Sequence, residues 1–332
     1  MRIRKKRLNE DILLWNDSPG SMKRVVYIIA GFLFIFELNS YGQTEINSTT
    51  HWYNRANYNP ASIAREGYIY FFSNVRKQWV GIEGTPSVYN IQASGYSDRH
   101  QSAFGLSLIR DEIGITTALN PGLQYAYRVG LNEDWYLSLG LSAGVYSRNV
   151  RASAYEPENT NDPVLDYTDQ RFTSPDANVG AELQWKYLIF GLSTTHLFSL
   201  WKSDDLFLIS NHRYAYAIYR NSNSELFNIT AGIQVANRKN LTVVEGTAIM
   251  RFKRPTGLIK GPTELFDAGI SVRSVKQLTL ITGINITSNM RLGYTYDFNF
   301  SNTINGGGTH EILLEFRIPL ITIQDNGYIW YD

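Results

Sequence analysis

Apolar and polar residues alternate strictly in two segments near the C-terminus of the chain. In the first, 290–301, every second residue is large and apolar: Met290, Leu292, Tyr294, Tyr296, Phe298 and Phe300. In the second, 309–320, Ile312, Leu314, Phe316 and Ile318 alternate with Glu311, Glu315 and Arg317. A repeat of two residues is the pattern of a β-strand with one apolar and one polar face. The glycines of 305–308 allow a hairpin turn between the two strands.

The length of these strands favours a barrel that crosses a membrane. A strand of about 9–11 residues, tilted by about 45°, spans a bilayer, whereas strands of soluble proteins commonly have about 5–6 residues. From the hairpin alone, two strands of a large soluble β-sandwich fit equally well. Similar patterns continue along the rest of the chain, at 68–80, 86–96, 101–110, 115–129, 135–146, 177–186, 188–195, 213–220, 226–236, 241–253, 265–273 and 277–287. Together they predict an all-β fold, a transmembrane antiparallel β-barrel of about 14 strands with long loops, over residues 67–320.

Two polar segments, 148–176 and 197–224, are too long for ordinary connections and predict excursions outside the membrane. They carry aromatic and arginine side chains of the kind that protein interfaces favour, which are Tyr155, Tyr167, Arg171, Phe172, Trp201, Phe207, Arg213 and Tyr214. In the strand at 135–146 the inward positions include Gly140 and Gly144, which leave room for neighbouring side chains or for a plug.

Composition agrees with a membrane barrel. The chain has 332 residues and a net charge of +1, with 18% charged and 14% aromatic residues. The balanced charge argues against a nucleic-acid partner. Its mean hydropathy of −0.24 is too polar for a helical membrane protein, but a barrel with a polar lumen gives such a value. There is no cysteine, which excludes disulfides, thiolate metal sites and a lipoprotein anchor.

The N-terminal region predicts export. Met22-Lys23-Arg24 precedes an apolar run at 25–36, and the small residues Ser40 and Gly42 follow it. This is the order of a signal peptide, so we expect residues 1–42 to be leader and signal peptide, with Met22 as the true start. An extended leader and a short membrane anchor are the alternatives. We expect 43–66 to form an N-terminal periplasmic segment and 321–332 a C-terminal tail.

The residues that could carry chemistry do not form a catalytic or metal-binding motif. His310 and Glu311 are adjacent and therefore point to opposite faces of a strand. We predict no catalytic residues, no metal ligands and no cofactor. The inward charges Arg273, Arg291, Asp297, Glu315 and Arg317 predict a lumen network of opposite charges, and a ring that selects a ligand is the alternative. Aromatic girdles at the membrane surfaces are predicted at Trp52, Trp79, Trp135 and Trp185.

Six pieces of sequence resemble, in the same order, the PorP/SprF family of Bacteroidetes outer-membrane proteins of the type IX secretion system. They lie at 59–61, 76–86, 104–114, 269–273, 293–297 and 309–312. The positions that carry the resemblance are Asn59, Pro60, Gln78, Trp79, Gly81, Pro86, Asp111, Gly114, Arg273, Gly293, Tyr294, Tyr296, Asp297, His310 and Glu311. The resemblance implies a barrel in the outer membrane of a Gram-negative bacterium that serves protein export and gliding motility.

Two functions of different classes follow. The first, implied by the resemblance, is a non-enzymatic secretion component that anchors or receives adhesin-type proteins. Its partners would be type IX secretion components, the C-terminal domain of a secreted adhesin and the lipids of the outer membrane. The second is a solute channel or a fatty-acid-type transporter, which the same barrel would also serve. Steady ion conductance in planar bilayers would favour the channel, and a closed lumen would favour the secretion component.

Overall fold

Fourteen antiparallel strands form a closed barrel in the computed structural model of the chain, which describes residues 48–154, 168–200, 209–221, 224, 226–238, 241–254, 264–300 and 307–320. The strands are β1 Tyr68–Lys77, β2 Ser87–Ser97, β3 Ser102–Ile113, β4 Thr116–Gly130, β5 Trp135–Val150, β6 Gln170–Trp185, β7 Leu188–Thr195, β8 His212–Asn221, β9 Phe227–Arg238, β10 Leu241–Lys253, β11 Glu264–Arg273, β12 Gln277–Asn285, β13 Met290–Asn299 and β14 Thr309–Pro319. Each strand pairs with its neighbours in sequence, and β1 pairs with β14 to close the barrel. The predicted fold class and strand number are confirmed.

Short 3-10 helices accompany the strands. They lie at Thr50–Trp52, Pro60–Ile63, Asp98–His100, Ala152–Ala154 and Leu197–Leu200. Across the ranges given above, no helix combines the length and the apolar character that a membrane crossing requires.

The barrel has an apolar exterior and a polar interior, as the alternating pattern predicts. On its outer surface Phe104 and Leu192 expose 65% and 66% of their area, which is the arrangement expected where lipid replaces water. In β13, Leu292 and Tyr294 face outward while Asp297 is buried. Among the described residues, buried polar side chains outnumber buried hydrophobic ones. The interior is therefore held largely by hydrogen bonds and ion pairs.

The two ends of the barrel differ in their connections. We call the end where β1 begins and β14 ends the terminal end, and the opposite end the far end. Most turns at the terminal end are short, such as 98–101, 131–134, 186–187 and 286–289, with 254–263 as the longer exception. At the far end, four connections are long, namely 78–86, 151–169, 196–211 and 300–308. Trp135 and Trp185 stack at the terminal end with ring centroids 5.2 Å apart, as an interfacial girdle would require.

The two predicted long loops are shorter than the sequence suggested. β5 extends to Val150 and β6 begins at Gln170, so both ends of 148–176 belong to strands. Likewise, β8 occupies 212–221 within the predicted loop 197–224. The strand ends of β5 and β6 carry polar residues on both faces, which hides the alternation, whereas β8 agrees with the strand pattern at 213–220. Tyr214 is buried inside the barrel, while Arg171, Phe172 and Arg213 lie on strands. Tyr155, Tyr167, Trp201 and Phe207 lie outside the described residues.

Candidate functional site

The N-terminal segment occupies the lumen of the barrel. We call residues 48–66 the lumen segment; every residue from Ser48 to Ala64 is buried except Asn57, which is half-buried. It begins near the far end and reaches β1 at the terminal end. We expected 43–66 to be a periplasmic segment, and its described part lies inside the barrel instead. Trp52, expected in a membrane girdle, is 1% exposed within the lumen. The sequence of 48–66 has no repeat of two, so its burial depends on specific polar contacts.

Asn59 and Pro60 shape the lumen segment where it crosses the middle of the barrel. Pro60 opens a 3-10 helix, and the Asn59 Oδ1 accepts a hydrogen bond from Ala61 N at 3.0 Å, which caps that helix. The Asn59 amide nitrogen donates to Ala181 O at 3.0 Å and to the Tyr216 hydroxyl at 2.9 Å. One asparagine thus both forms the turn and fastens it to β6 and β8.

Glycines on the inner wall provide the space for this segment. A Cβ atom at Gly140 would overlap the backbone of Pro60 and Ala61, and a Cβ atom at Gly180 would overlap the Asn59 side chain. Gly232 lies against the indole of Trp52 in the same way. The inward glycines of β5, β6 and β9 therefore leave the space that the lumen segment fills. This agrees with the sequence-based expectation that Gly140 leaves room for a plug.

The first of three ionic clusters joins the lumen segment to β1, β13 and β14. Arg76 lies between two carboxylates, with its Nη2 at 2.5 Å from Asp297 Oδ2 and its Nη1 at 3.1 Å from Glu311 Oε2. The backbone N–H of Thr49 donates to Glu311 Oε2 at 2.8 Å, and Ser48 Oγ donates to Glu311 Oε1 at 2.5 Å. All of these side chains are buried, so the carboxylates depend on Arg76 for their charge balance.

The second cluster holds Trp52 against β10 and β11. Glu245 accepts from Arg273 Nε at 2.6 Å and from the Trp52 indole N–H at 2.9 Å. Arg273 also donates to the carbonyl of Ser48 at 3.1 Å. The His51 ring also belongs to this cluster, with its Nε2 at 3.8 Å from Glu245 Oε1.

The third cluster lies nearer the terminal end. Arg55 Nε contacts Glu182 Oε1 at 2.7 Å, and the Tyr216 hydroxyl donates to the same carboxylate. On the opposite wall Arg291 pairs with Glu264 at 2.6 Å and with Asp267 at 3.6 Å. The lumen segment is thus held from the far end to the terminal end by hydrogen bonds to buried charged side chains and by the Arg55–Glu182 ion pair.

The predicted lumen charges all point inward, but they do not form one ring. Asp297 pairs with Arg76, Arg273 with Glu245, and Arg291 with Glu264 and Asp267. Among the five, Glu315 and Arg317 form an ion pair with each other, 2.6 Å apart. The sequence reasoning did not single out Arg55, Arg76, Glu182 or Glu245. Glu245 could have been found, because it shares the inward face of β10 with Thr247 and Arg251.

The positions of the family resemblance fall into three places. Asn59 and Pro60 belong to the lumen segment. Gln78, Trp79, Gly81, Pro86, Asp111 and Gly114 belong to the far end, where Gln78 N donates to Pro86 O at 2.9 Å and Gly114 N to Gly84 O at 2.8 Å. On β13 and β14 neighbouring positions face opposite ways: Tyr294, Tyr296 and His310 face outward, and Gly293, Asp297 and Glu311 inward, as Arg273 does on β11. The Tyr294 hydroxyl lies 2.7 Å from His310 Nδ1 on the outer surface. These positions therefore form no single site.

Comparison with known proteins gives a family. A family model described as "Type IX secretion system membrane protein PorP/SprF" matches residues 40–316, which include the lumen segment and nearly all of the barrel. A search of curated proteins found no match. Among solved structures, the chain is similar to the CymD monoaromatic hydrocarbon channel, with 10% identity, 83% of this chain and 94% of that chain covered, and a TM-score of 0.49. The toluene transporter TbuX of Ralstonia pickettii is similar with 10% identity, 79% and 92% covered, and a TM-score of 0.48. Omp33 of Acinetobacter baumannii is similar with 10% identity, 77% and 100% covered, and a TM-score of 0.44.

Proposed function

Because the chain belongs to the PorP/SprF family of type IX secretion system membrane proteins, we propose that its barrel is a closed scaffold that anchors or receives a secreted, adhesin-type partner protein. It is a β-barrel of the outer membrane and not an enzyme. In this proposal the partner binds through its C-terminal domain, and other components of the secretion system bind the same barrel. The barrel acts by binding partner proteins at its surface and not by transporting a substrate through its lumen.

The occupied lumen is the observation that carries this proposal. A solute channel needs a continuous water-filled path, whereas residues 48–66 run through this barrel from one end to the other. The segment forms a buried ion pair with the wall, from Arg55 to Glu182, and loss of one partner of such a pair costs about 3–5 kcal/mol. Thr49 and Trp52 add hydrogen bonds with Arg76 and Glu245. These contacts hold the segment in the lumen.

The long connections at the far end supply the surface for a partner. Outer-membrane barrels have short periplasmic turns and longer extracellular loops. By this rule the far end faces the outside, where a secreted protein would be held. The loop 78–86 is tied to its neighbours by hydrogen bonds from Val80 N to Gly308 O at 3.1 Å and from Gly307 N to Val80 O at 2.8 Å. It exposes Val80 and Ile82, so the far end offers a fixed apolar contact.

Conductance in planar bilayers separates the scaffold from the solute channel or fatty-acid-type transporter. We expect the purified full-length mature protein to show no steady ion current. A variant without residues 48–64 is the positive control, because its lumen lacks the segment. A steady current through the unaltered protein would overturn the scaffold and support the channel.

Surface display of a partner tests the binding role. The assay measures a reporter fused to the C-terminal domain of a type IX secretion substrate, relative to the amount of barrel in the outer membrane. We expect deletion of 156–166, between β5 and β6, to lower display. The matched control is the double variant Glu315→Gln with Arg317→Gln, which neutralises both members of a lumen pair at once and should leave display unchanged. Normal display after the loop deletion, with loss in the lumen variant, would contradict the proposal.

A further inference from the structure

A second feature of the lumen lies at the far end and differs in chemistry from the ionic clusters. It is a cavity of about 70 Å³ between the lumen segment and strands β1–β8. Among the described residues that line it there is no lysine, arginine, aspartate or glutamate. Six carboxamide side chains line it instead, which are Asn57, Asn74, Asn90, Asn120, Gln124 and Asn178. A carboxylate lies directly behind this lining, because Ser48 and Asn74 donate to Glu311 at 2.5 Å and 2.6 Å.

The hydrogen-bond network fixes the orientation of two of these carboxamides. The Glu311 carboxylate can only accept, so the Asn74 amide nitrogen, at 2.6 Å, must be the donor. Asn74 Oδ1 then accepts from Asn90 Nδ2 at 2.8 Å. This orientation leaves Asn90 Oδ1 as a buried acceptor that has no hydrogen-bond partner within the part of the chain that the structure describes.

Thr195 provides a second such group. This residue lines the same cavity, and its buried hydroxyl likewise lacks a hydrogen-bond partner among the residues described. Asn90 and Thr195 each expose only 2% of their area. A buried polar group without a partner costs about 1–3 kcal/mol. A ligand that brings both a donor and an acceptor would recover that free energy at the two positions.

Aromatic rings form another wall of the cavity. Tyr58 and Tyr214 meet edge to face with centroids 5.0 Å apart, and Tyr146 lies 6.3 Å from His196 in a similar geometry. Tyrosine and histidine rings combine an apolar face with a polar edge. Carboxamides opposite aromatic rings suit a ligand that has hydroxyl groups on its rim and C–H groups on its faces.

The size and access of the cavity limit what can enter. A cavity needs about 10–15 Å³ of space for the centre of each water molecule, so this one holds about five waters. Five waters occupy about 150 Å³ of liquid, which is close to the volume of one sugar ring. Asn120 and Asn178 on the rim are half-buried, while Asn74 on the floor is 2% exposed. Asp176 stands behind the rim, where it accepts from Asn120 at 2.7 Å. This carboxylate disfavours an anionic ligand.

We propose that this cavity binds one uncharged sugar residue, such as the terminal residue of a glycan. Asn90 Oδ1 accepts from a sugar hydroxyl, the Thr195 hydroxyl pairs with another, and the tyrosine wall covers a face of the ring. The proposal does not rest on the scaffold function, because it needs only the lumen segment and strands β1–β8 in place.

Binding of neutral sugars to the purified mature protein tests the proposal. The protein is held in an alkylamine-oxide detergent, because detergents with sugar headgroups would compete. The probes are methyl glycosides of glucose, galactose, mannose and N-acetylglucosamine, with glucuronic acid as the charged comparison, and binding is followed by calorimetry. We expect at least one neutral glycoside to bind with millimolar affinity or better and glucuronic acid to bind more weakly.

Substitutions locate the binding. Thr195→Val and Asn90→Ala should each weaken the glycoside by about tenfold, which corresponds to the loss of one hydrogen bond. Ser193→Ala is the matched control, because Ser193 is also a buried hydroxyl without a described partner but does not line the cavity. Heat-modifiable gel mobility confirms that each variant is folded.

Three outcomes would overturn the proposal. The first is that no neutral glycoside binds, which would make the cavity a solvent pocket only. The second is glycoside binding that both substitutions leave unchanged, which would place the sugar elsewhere. The third is binding of N-acetylglycinamide, with the same response to Thr195→Val and Asn90→Ala, in the absence of glycoside binding. That result would identify the cavity as a site for a peptide amide.

Discussion

Replacing Arg76 with glutamine tests the electrostatic account of the lumen most directly. Arg76 is the cation between Asp297 and Glu311, at 2.5 Å and 3.1 Å. Both carboxylates are 0% exposed. Glutamine keeps part of the side-chain volume and can donate one hydrogen bond, but it removes the charge. Arg76→Gln therefore leaves two buried carboxylates close together without their shared cation.

The size of the effect follows from the burial of the cluster. Removal of one member of a buried ion pair destabilises a protein by about 3–5 kcal/mol. Thr49, Ser48 and Thr279 still donate hydrogen bonds to the carboxylates and offset part of the loss. We therefore expect a decrease of about 3 kcal/mol in the free energy of unfolding, at the lower end of that range. Arg110→Gln is the matched control, because Arg110 and Glu112 form an exposed pair worth about 0–1 kcal/mol.

Urea unfolding of the barrel in detergent micelles, followed by gel mobility without heating, measures both variants. A third variant, Arg76→Gln with Asp297→Asn and Glu311→Gln, should recover much of the lost stability, because it removes the uncompensated charges. If Arg76→Gln costs no more than Arg110→Gln, or if the triple variant is less stable than the single one, the reasoning about buried charge in this lumen is refuted.

Three further predictions concern the barrel wall, the lumen segment and processing. Leu314→Arg places a charge on the lipid face and should cost about 2–4 kcal/mol near the middle of the membrane; an unchanged urea midpoint would contradict the outward facing of β14. Gly140→Val should displace the lumen segment, so that a cysteine introduced by Ala56→Cys reacts with a maleimide. Gly246→Val, where an added Cβ meets no atom within 4 Å, should leave the same cysteine protected. Sequencing of the mature N-terminus should begin near Gln43, and a mature chain that retains 25–36 would indicate a membrane anchor.

The barrel wall could be predicted from the sequence because the membrane constrains every second residue. Along β13 and β14 one face must be apolar to meet lipid, so the pattern shows both the strands and the inward direction of Asp297 and Glu315. The strand number followed from the same rule. The alternation rule failed where β5 and β6 continue past the apolar band, because residues there meet water on both faces.

The contents of the lumen could not be predicted in the same way. An inward charge is visible from alternation, but its partner is set by the three-dimensional closure of the barrel. Arg76 and Asp297 are 221 residues apart in sequence. The segment 48–66 carries no periodic pattern, because each of its buried polar groups contacts a different inward side chain of the barrel wall. Asn59 and Pro60 could be recognised as part of the family resemblance, yet their position inside the barrel could not be predicted. Trp52 lies in the lumen instead of a girdle, and there its indole N–H donates to Glu245.

The shared carboxylate of Glu311 also affects the order of folding. Arg76 and Glu311 are direct partners in the pairing of β1 with β14, and Thr49 donates to the same carboxylate across 262 residues of sequence. Contacts between such distant residues form slowly, because the entropy of closing the intervening chain is lost before the contact gains anything. Glu311 therefore gains its full set of partners only when the barrel is sealed and the N-terminal segment is in place. An assembly factor that occupies the free edge of β1 or β14 would keep this carboxylate without Arg76 until it is released.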